Sequence, residues 1–306
     1  MLTIFSIPKA FKGHIGTIQR NAIQSWTLLR PSPEIILFGN DDGTAQAAEE
    51  FQARHIPEIA TNEFSTPLLS DLFRRAESQA RFDCMCYINA DILVLSDFLP
   101  ALSQVSRELS EFLILSMRVN LDIRDRIIFG AGWEESVKER SRIAGTPVGH
   151  TGMDIFAFPK GTFPHVPDFA IGRLWFDQWL IKAARERRVP VVDVTRVAPV
   201  IHQNHDYNHV PGGAEEVWRG KEAERNLRLY ASPPHSYTFL DVTHELTPEG
   251  SLRRILFRRP AHQTREFLWR TMVEKTLPLR KKLGLQRRPP ENGAAPAEAG
   301  RHQLDR

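Results

Sequence analysis

The sequence predicts an α/β fold with a central, mostly parallel sheet flanked by helices. Three observations point there. Short apolar runs alternate with segments of helical apolar spacing through the first half of the chain, as βαβ units require. Polar residues gather where the apolar runs end, the place at which open α/β sheets bind ligands. At 306 residues, 42% hydrophobic and 25% charged, the chain can also bury a full core.

The elements follow in order. Leu2 to Ile7 reads as a strand. Gly16 to Leu29 carries Ile18, Ala22, Ile23 and Trp26 at helical spacing. It ends before Pro31 and Pro33, because proline lacks a donor and blocks the preceding helical turn. Glu34 to Phe38 is a second strand, Gly39 to Gly43 a turn, and Thr44 to Gln52 an alanine-rich helix. Arg54 to Ile59 is a short strand. Leu68 to Arg81 is a helix with Leu69, Leu72, Phe73 and Ala76 inward. Cys84 to Leu95 is a strand region, Leu99 to Leu109 a helix and Phe112 to Ser116 a strand. Arg118 to Val148 lacks a readable period and is expected to be a loop. Asp154 to Pro159 reads as a strand, Phe176 to Arg188 as a helix, and Pro190 to Thr195 and Ala198 to Ile201 as short strands. Beyond Tyr230 the pattern weakens.

The expected organisation is a catalytic domain over 1–230, a basic helical extension over 231–288 and a disordered tail over 289–306. The tail is rich in Ala, Gly, Pro and charge, too polar to bury. No apolar stretch reaches the ~20 residues of a membrane span. The first residues lack a basic flank and read as a strand, not a signal peptide. Cys84 and Cys86 sit too close on one strand for an ordinary bridge. A reducing, cytoplasmic compartment is therefore the simpler expectation.

Net charge is +3, yet Ser251 to Arg288 holds twelve basic residues against two acidic ones. Its apolar residues over 252–285 suggest either a peripheral contact with an anionic surface, at the inner membrane face, or helices packed on the catalytic domain with solvated arginines. No nucleic-acid recognition motif accompanies the charge, so nucleic acid is not expected.

Four constellations could carry chemistry. Asn89-Ala90-Asp91 leaves an otherwise apolar strand; alternate residues of an extended chain point the same way, and hard divalent cations take oxygen ligands. A plain strand-end turn is the bland reading. Asp41-Asp42-Gly43 could accept hydrogen bonds from a base or ribose, or be an Asp-Gly turn capping a helix. Asp177, between Phe176 and Gln178 and flanked by Trp175 and Trp179, could be a general base beside a sugar-binding wall, or an acid favoured by the helix dipole. His202-Gln203-Asn204-His205-Asp206-Tyr207-Asn208-His209 is the densest cluster of metal-ligating types in the chain; its spacing differs from the helical H-E-x-x-H pattern, and a polar surface loop is the alternative.

In this order the motifs resemble the GT-A nucleotide-diphospho-sugar glycosyltransferases. Ser6-Ile7-Pro8-Lys9, Asn89-Ala90-Asp91-Ile92 and His202-Gln203-Asn204-His205-Asp206 look, more narrowly, like a glycosyltransferase-like family on that scaffold. The resemblance covers about Met1 to Tyr230. It implies a Mn or Mg ion held by Asp91 with His202 or His205, and a nucleotide-diphosphate sugar contacted by Ser6, Asp41, Asp42 and Asn89. It implies Asp177 as base toward a hydroxyl acceptor (a glycan, a lipid-linked group or a small molecule), with inversion at the anomeric carbon. Two positions depart from the family pattern: Asn89 stands where the D-x-D motif opens with Asp, and the helix acid is Asp177 alone. The alternatives are a non-catalytic nucleotide-sugar-binding protein on the same scaffold and a metal hydrolase built on His202, His205 and Asp206.

Overall fold

The computed structural model describes residues 1–206, 213–231, 236–256 and 258. The expected basic helix beyond Leu256, the tail over 289–306, and Tyr207, Asn208 and His209 lie outside these residues, Arg258 excepted. In chain order the elements are β1 (Leu2–Ser6), α1 (Gly13–Thr27), β2 (Glu34–Phe38), α2 (Thr44–Glu50), β3 (Arg54–Ile56), α3 (Leu69–Gln79), β4 (Cys84–Ile88), β5 (Ile92–Leu93), α4 (Phe98–Glu108) and β6 (Leu113–Leu121). Then come α5 (Trp133–Ala144), β7 (Thr146–Pro147), β8 (Met153–Pro159), α6 (Phe176–Glu186), β9 (Val191–Asp193), β10 (Val200–Gln203), α7 (Gly213–Arg219), α8 (Lys221–Tyr230), β11 (His244–Leu246) and β12 (Leu252–Arg254).

The twelve strands form one sheet with the main order β12-β11-β9-β6-β8-β4-β1-β2-β3. Seven of these nine strands run in one direction; β8 and β12 are reversed. The strands of the parallel region are apolar along their whole length because helices cover both faces. On one face α1, α2 and α4 bury Ala22, Ile23, Trp26, Ala48, Phe98 and Val105. On the other, α3, α6 and α8 bury Leu72, Phe73, Leu180, Ile181 and Tyr230. Phe5, Phe73, Tyr87 and Phe158 pack in edge-on, tilted and stacked pairs with centroids 5.3 to 6.4 Å apart. Each such ring contributes on the order of 2–3 kcal/mol by burial. Trp26 is fully buried and donates Nε1–H to the Ile92 carbonyl at 2.9 Å, which ties α1 to the strand beyond Asp91.

Most of the α/β alternation expected through Ser116 is present. The stretch over 118–148 differs: β6 continues to Leu121, and α5 spans Trp133–Ala144. That helix buries Val137 alone, so its sequence shows almost no apolar period. The compact unit runs through Leu256, beyond the expected limit at Tyr230, because β11 pairs with β9 and β12 with β11. Leu252–Arg254, expected to open a basic helix, is that edge strand. Among the described residues no helix is long and apolar enough to cross a membrane. Cys84 and Cys86 are both free thiols.

Candidate functional site

The ends of β1, β2, β4, β6 and β10 reach one edge of the sheet. Because β8 is reversed, its first residues reach that same edge. Loops leaving parallel strands cannot pair with neighbours, so polar side chains collect there.

Asp91 sits in the turn between β4 and β5, closed by Ile92 N–H to the Asn89 carbonyl at 3.2 Å. Antiparallel pairing sets His202 of β10 opposite Ile92. As a result His205 Nε2 lies 3.0 Å and His202 Nε2 3.7 Å from Asp91 Oδ2. The ligand atoms of Asp91, His202 and His205 all fall within 4.8 Å of one another. His205 Nδ1 lies 2.7 Å from the Asp206 carbonyl. A carbonyl only accepts, so Nδ1 carries the proton. Nε2 can then donate to Asp91 only from a doubly protonated ring; otherwise its lone pair faces the carboxylate, as it would face a shared cation. Asp91 Oδ1 and His202 Nδ1 are buried without a hydrogen-bond partner. This donor set, one carboxylate and two imidazoles, fits a small divalent cation.

Burial alone would raise the Asp91 carboxyl. The charge of His202 when protonated, the hydrogen bond and charge of a doubly protonated His205, and the Lys9 ammonium outweigh it and hold the group well below the usual carboxylate range. Burial pushes the His202 imidazole down to about 4, against the pull of Asp91. Burial leaves His202 a neutral ring, the form a cation requires, and the Lys9 ammonium still favours an ionised Asp91 beside it.

A buried amide network carries the backbone of this cluster. Gln203, fully buried on β10, donates Nε2–H to the carbonyls of Ile18 (2.8 Å) and Asp91 (3.1 Å). Its Oε1 accepts from Asn21 Nδ2 at 3.0 Å. Asn21 also donates to the Asp125 carbonyl and accepts from Ile127 N–H, each at 3.0 Å. The network joins α1, Asp91, β10 and the loop before α5.

Asn89 does not share Asp91's direction, because the chain turns after Ile88 instead of staying extended. Its Nδ2 donates to Asp154 Oδ1 at 2.7 Å, and Asp154 Oδ2 accepts from Arg118 Nη1 at 2.7 Å. Asp154 and Arg118 were not singled out in the sequence, although an acid opening the apolar run Met153 to Phe158 was a signal.

Asp177 lies in the first turn of α6 and accepts from Gln178 N–H at 3.0 Å. Trp175 precedes it with φ of 89°, held by a ring stacked on Tyr230 at 5.4 Å. Burial pushes the Asp177 carboxyl up to about 7; the Gln178 N–H opposes, the Asp154 charge adds and Arg118 subtracts.

The other expected residues are placed differently. Ser6 is buried and its hydroxyl donates to the Ile88 carbonyl at 2.6 Å, a brace between strand ends that turns it away from solvent. Asp42 is exposed and pairs with Lys12 at 2.5 Å. Asp41 is exposed beside it, its carboxyl raised by partial burial and by Asp42. Lys9, whose ammonium burial pulls down and Asp91 pulls up, stands among the charges of the cluster; in the sequence it closes the stretch Ser6-Ile7-Pro8-Lys9, where it was given no role.

No family model matches the chain, and no curated protein matches it. Solved structures with a similar chain path exist. The crystal structure of S. aureus TarS 1-349 in complex with UDP-GlcNAc has a TM-score of 0.47 at 12% identity, covering 76% of this chain and 66% of that one. The match thus covers a little under two thirds of that 1-349 segment, and 35% of the longer S. aureus TarS chain. Glucosyl-3-phosphoglycerate synthase from Mycobacterium tuberculosis, in complex with Mn2+, uridine-diphosphate and phosphoglyceric acid, has a TM-score of 0.45 at 16% identity, covering 77% of this chain and 80% of that one. The same synthase with Mg2+ and uridine-diphosphate has a TM-score of 0.46 at 15% identity, covering 77% and 81%.

Proposed function

We propose that this chain is a GT-A-type glycosyltransferase that moves a sugar from a nucleotide-diphosphate donor to a hydroxyl acceptor, with inversion. The carrying observation is the group of Asp91, His202 and His205, three ligand atoms within 4.8 Å of one another at the ligand-binding edge of the sheet. A Mn or Mg ion held by these residues would offset charge on the donor phosphates and the departing nucleotide diphosphate.

The chain's own groups supply the rest. Lys9, close enough for its charge to act on Asp91, is a second positive group for the diphosphate. Asp41 or Asp42 receives hydrogen bonds from the base or ribose at the end of β2. Asp177 accepts the proton of the acceptor hydroxyl; with its carboxyl near 7, a substantial share is ionised and basic at neutral pH, the range in which general bases work best. Trp175 and Trp179 offer flat apolar surface to a sugar ring. Ser6 and Asn89 enter through strand-end bracing instead of donor contact.

The test is a panel of nucleotide sugars with Mn2+, read as released nucleotide diphosphate. Release that requires both metal and an acceptor supports the reading. Tight nucleotide binding without release over the whole panel would leave a non-catalytic binding protein. A metal hydrolase is the second reading; its expected donors are His202, His205 and Asp206, and the group that lies together has Asp91 in place of Asp206. It predicts turnover of simple esters or amides with no nucleotide requirement, and gives Asp177 no function.

A further inference from the structure

Asn89 occupies the place where the motif it resembles carries a carboxylate. Its surroundings explain the amide. Asn89 N–H donates to the Asp154 carbonyl at 3.1 Å, extending the β4–β8 ladder one residue past Ile88. Its side chain repeats the contact: Nδ2 donates to Asp154 Oδ1 at 2.7 Å. On its other side, Asp154 Oδ2 takes Arg118 Nη1 at 2.7 Å, and both partners are largely buried, with side chains 8% and 21% exposed. The Tyr87 hydroxyl reaches Asn89 Oδ1 at 3.4 Å. An ionised carboxylate only accepts, so the residue facing Asp154 must bring a donor. Asp at 89 would oppose two acceptors at 2.7 Å.

We propose that Asn89 is a positioning residue: clamped to Asp154, and through it to Arg118, its amide fixes the exit of β4 so that the next turn presents Asp91 to His202 and His205. The identity of residue 89 is set by Asp154 and not by a ligand. The clamp stands on its own contacts; its consequence for a cation rests on the proposed function.

The experiment compares the full-length wild type with Asn89→Asp, Asp154→Asn and the double variant Asn89→Asp/Asp154→Asn. The double variant exchanges donor and acceptor and keeps the net charge. Thermal unfolding without metal is read first. Each single variant is expected to melt roughly 5–10 °C lower, as loss of a charge-assisted buried hydrogen bond implies, and the exchange is expected to restore more than half of that loss. If a single variant fails to fold, folding of the double variant is the rescue. Mn2+ affinity is read second, by titration calorimetry with the metal alone. Asn89→Asp is expected to bind roughly 10- to 100-fold more weakly, the usual effect of disturbing a group that orients a ligand, and the exchange to recover most of it. An Asn89→Asp variant that melts with the wild type and binds Mn2+ more tightly overturns the inference, because residue 89 would then be a ligand position. Additive losses in the double variant overturn it too. Absence of Mn2+ binding in all four proteins counts against the cation site, while the thermal cycle still decides the clamp.

Discussion

Replacing Asp177 by Asn should make the protein more stable, and by an amount that grows with pH. Burial raises the carboxyl from 3.8 to about 7 in the folded chain. Between these values the folded state keeps a proton that the unfolded state has lost, so stability from this group falls as pH rises. Below 3.8 the contribution is complete; above about 7 it is gone. At 1.36 kcal/mol per pH unit, the full span is at most about 4 kcal/mol. Asp177 is only half-buried by exposed area, so solvent screening reduces the expected effect to about 1–2 kcal/mol. For a folded unit of this size, that is roughly 2–8 °C in melting temperature. The assay is thermal unfolding of wild type and Asp177→Asn at pH 5, 6, 7 and 8. The variant's advantage should open between pH 5 and 8, and its transferase rate should fall about 100- to 10,000-fold, as removal of a general base does. An advantage that is flat with pH, or that shrinks toward pH 8, refutes the buried, proton-holding Asp177.

Three other outcomes follow from the geometry. Asp91→Ala should remove Mn2+ binding and lower transfer about 100- to 1000-fold with an unchanged far-UV circular dichroism spectrum; full metal-dependent turnover would dismiss Asp91 as a ligand. Gln203→Leu should cost about 1–3 kcal/mol, since it takes from Asn21 Nδ2 one of its two acceptors and from the Ile18 and Asp91 carbonyls their side-chain donor, and chemical denaturation measures it. Val137→Ala, at the one buried position of α5, should cost about 1–3 kcal/mol and speed amide exchange in that helix more than in β1 or β4.

How much of this was readable in the sequence depends on what each residue faces. The strands around β1 and β4 were plain because both of their sides are covered. Helix α5 was not, since eleven of its twelve residues meet solvent at least in part and leave no period. Asp91, His202 and His205 stood out as polar types in apolar settings, and the structure gathers them. Ser6 looked like a ligand contact by position, but side-chain direction is a tertiary fact, and its hydroxyl turns to Ile88. Asp154 was missed for a topological reason. The expectation that chemistry collects at the carboxyl ends of strands passes over a reversed strand, whose opening residues, Asp154 among them, arrive at the same edge. Asn89 and Asp91 were expected to point together; the turn at Ala90 sends one to Asp154 and the other to the histidines.

The reversed strand also bears on how the chain is made. When Cys84–Ile88 leaves the ribosome, β1 is available to cover one of its edges, but the other edge belongs to β8, whose pairing runs from Ile155 to Pro159. Those residues lie some 70 positions downstream, which at ~5–20 residues per second is several seconds of synthesis. Through that interval the nascent sheet shows an unpaired, wholly apolar border of the kind that invites association between chains. Translation speed across the segment from α4 to α5 therefore sets how long the growing protein is exposed, and slow codons or pauses there would be felt as lost yield before they were felt as lost activity.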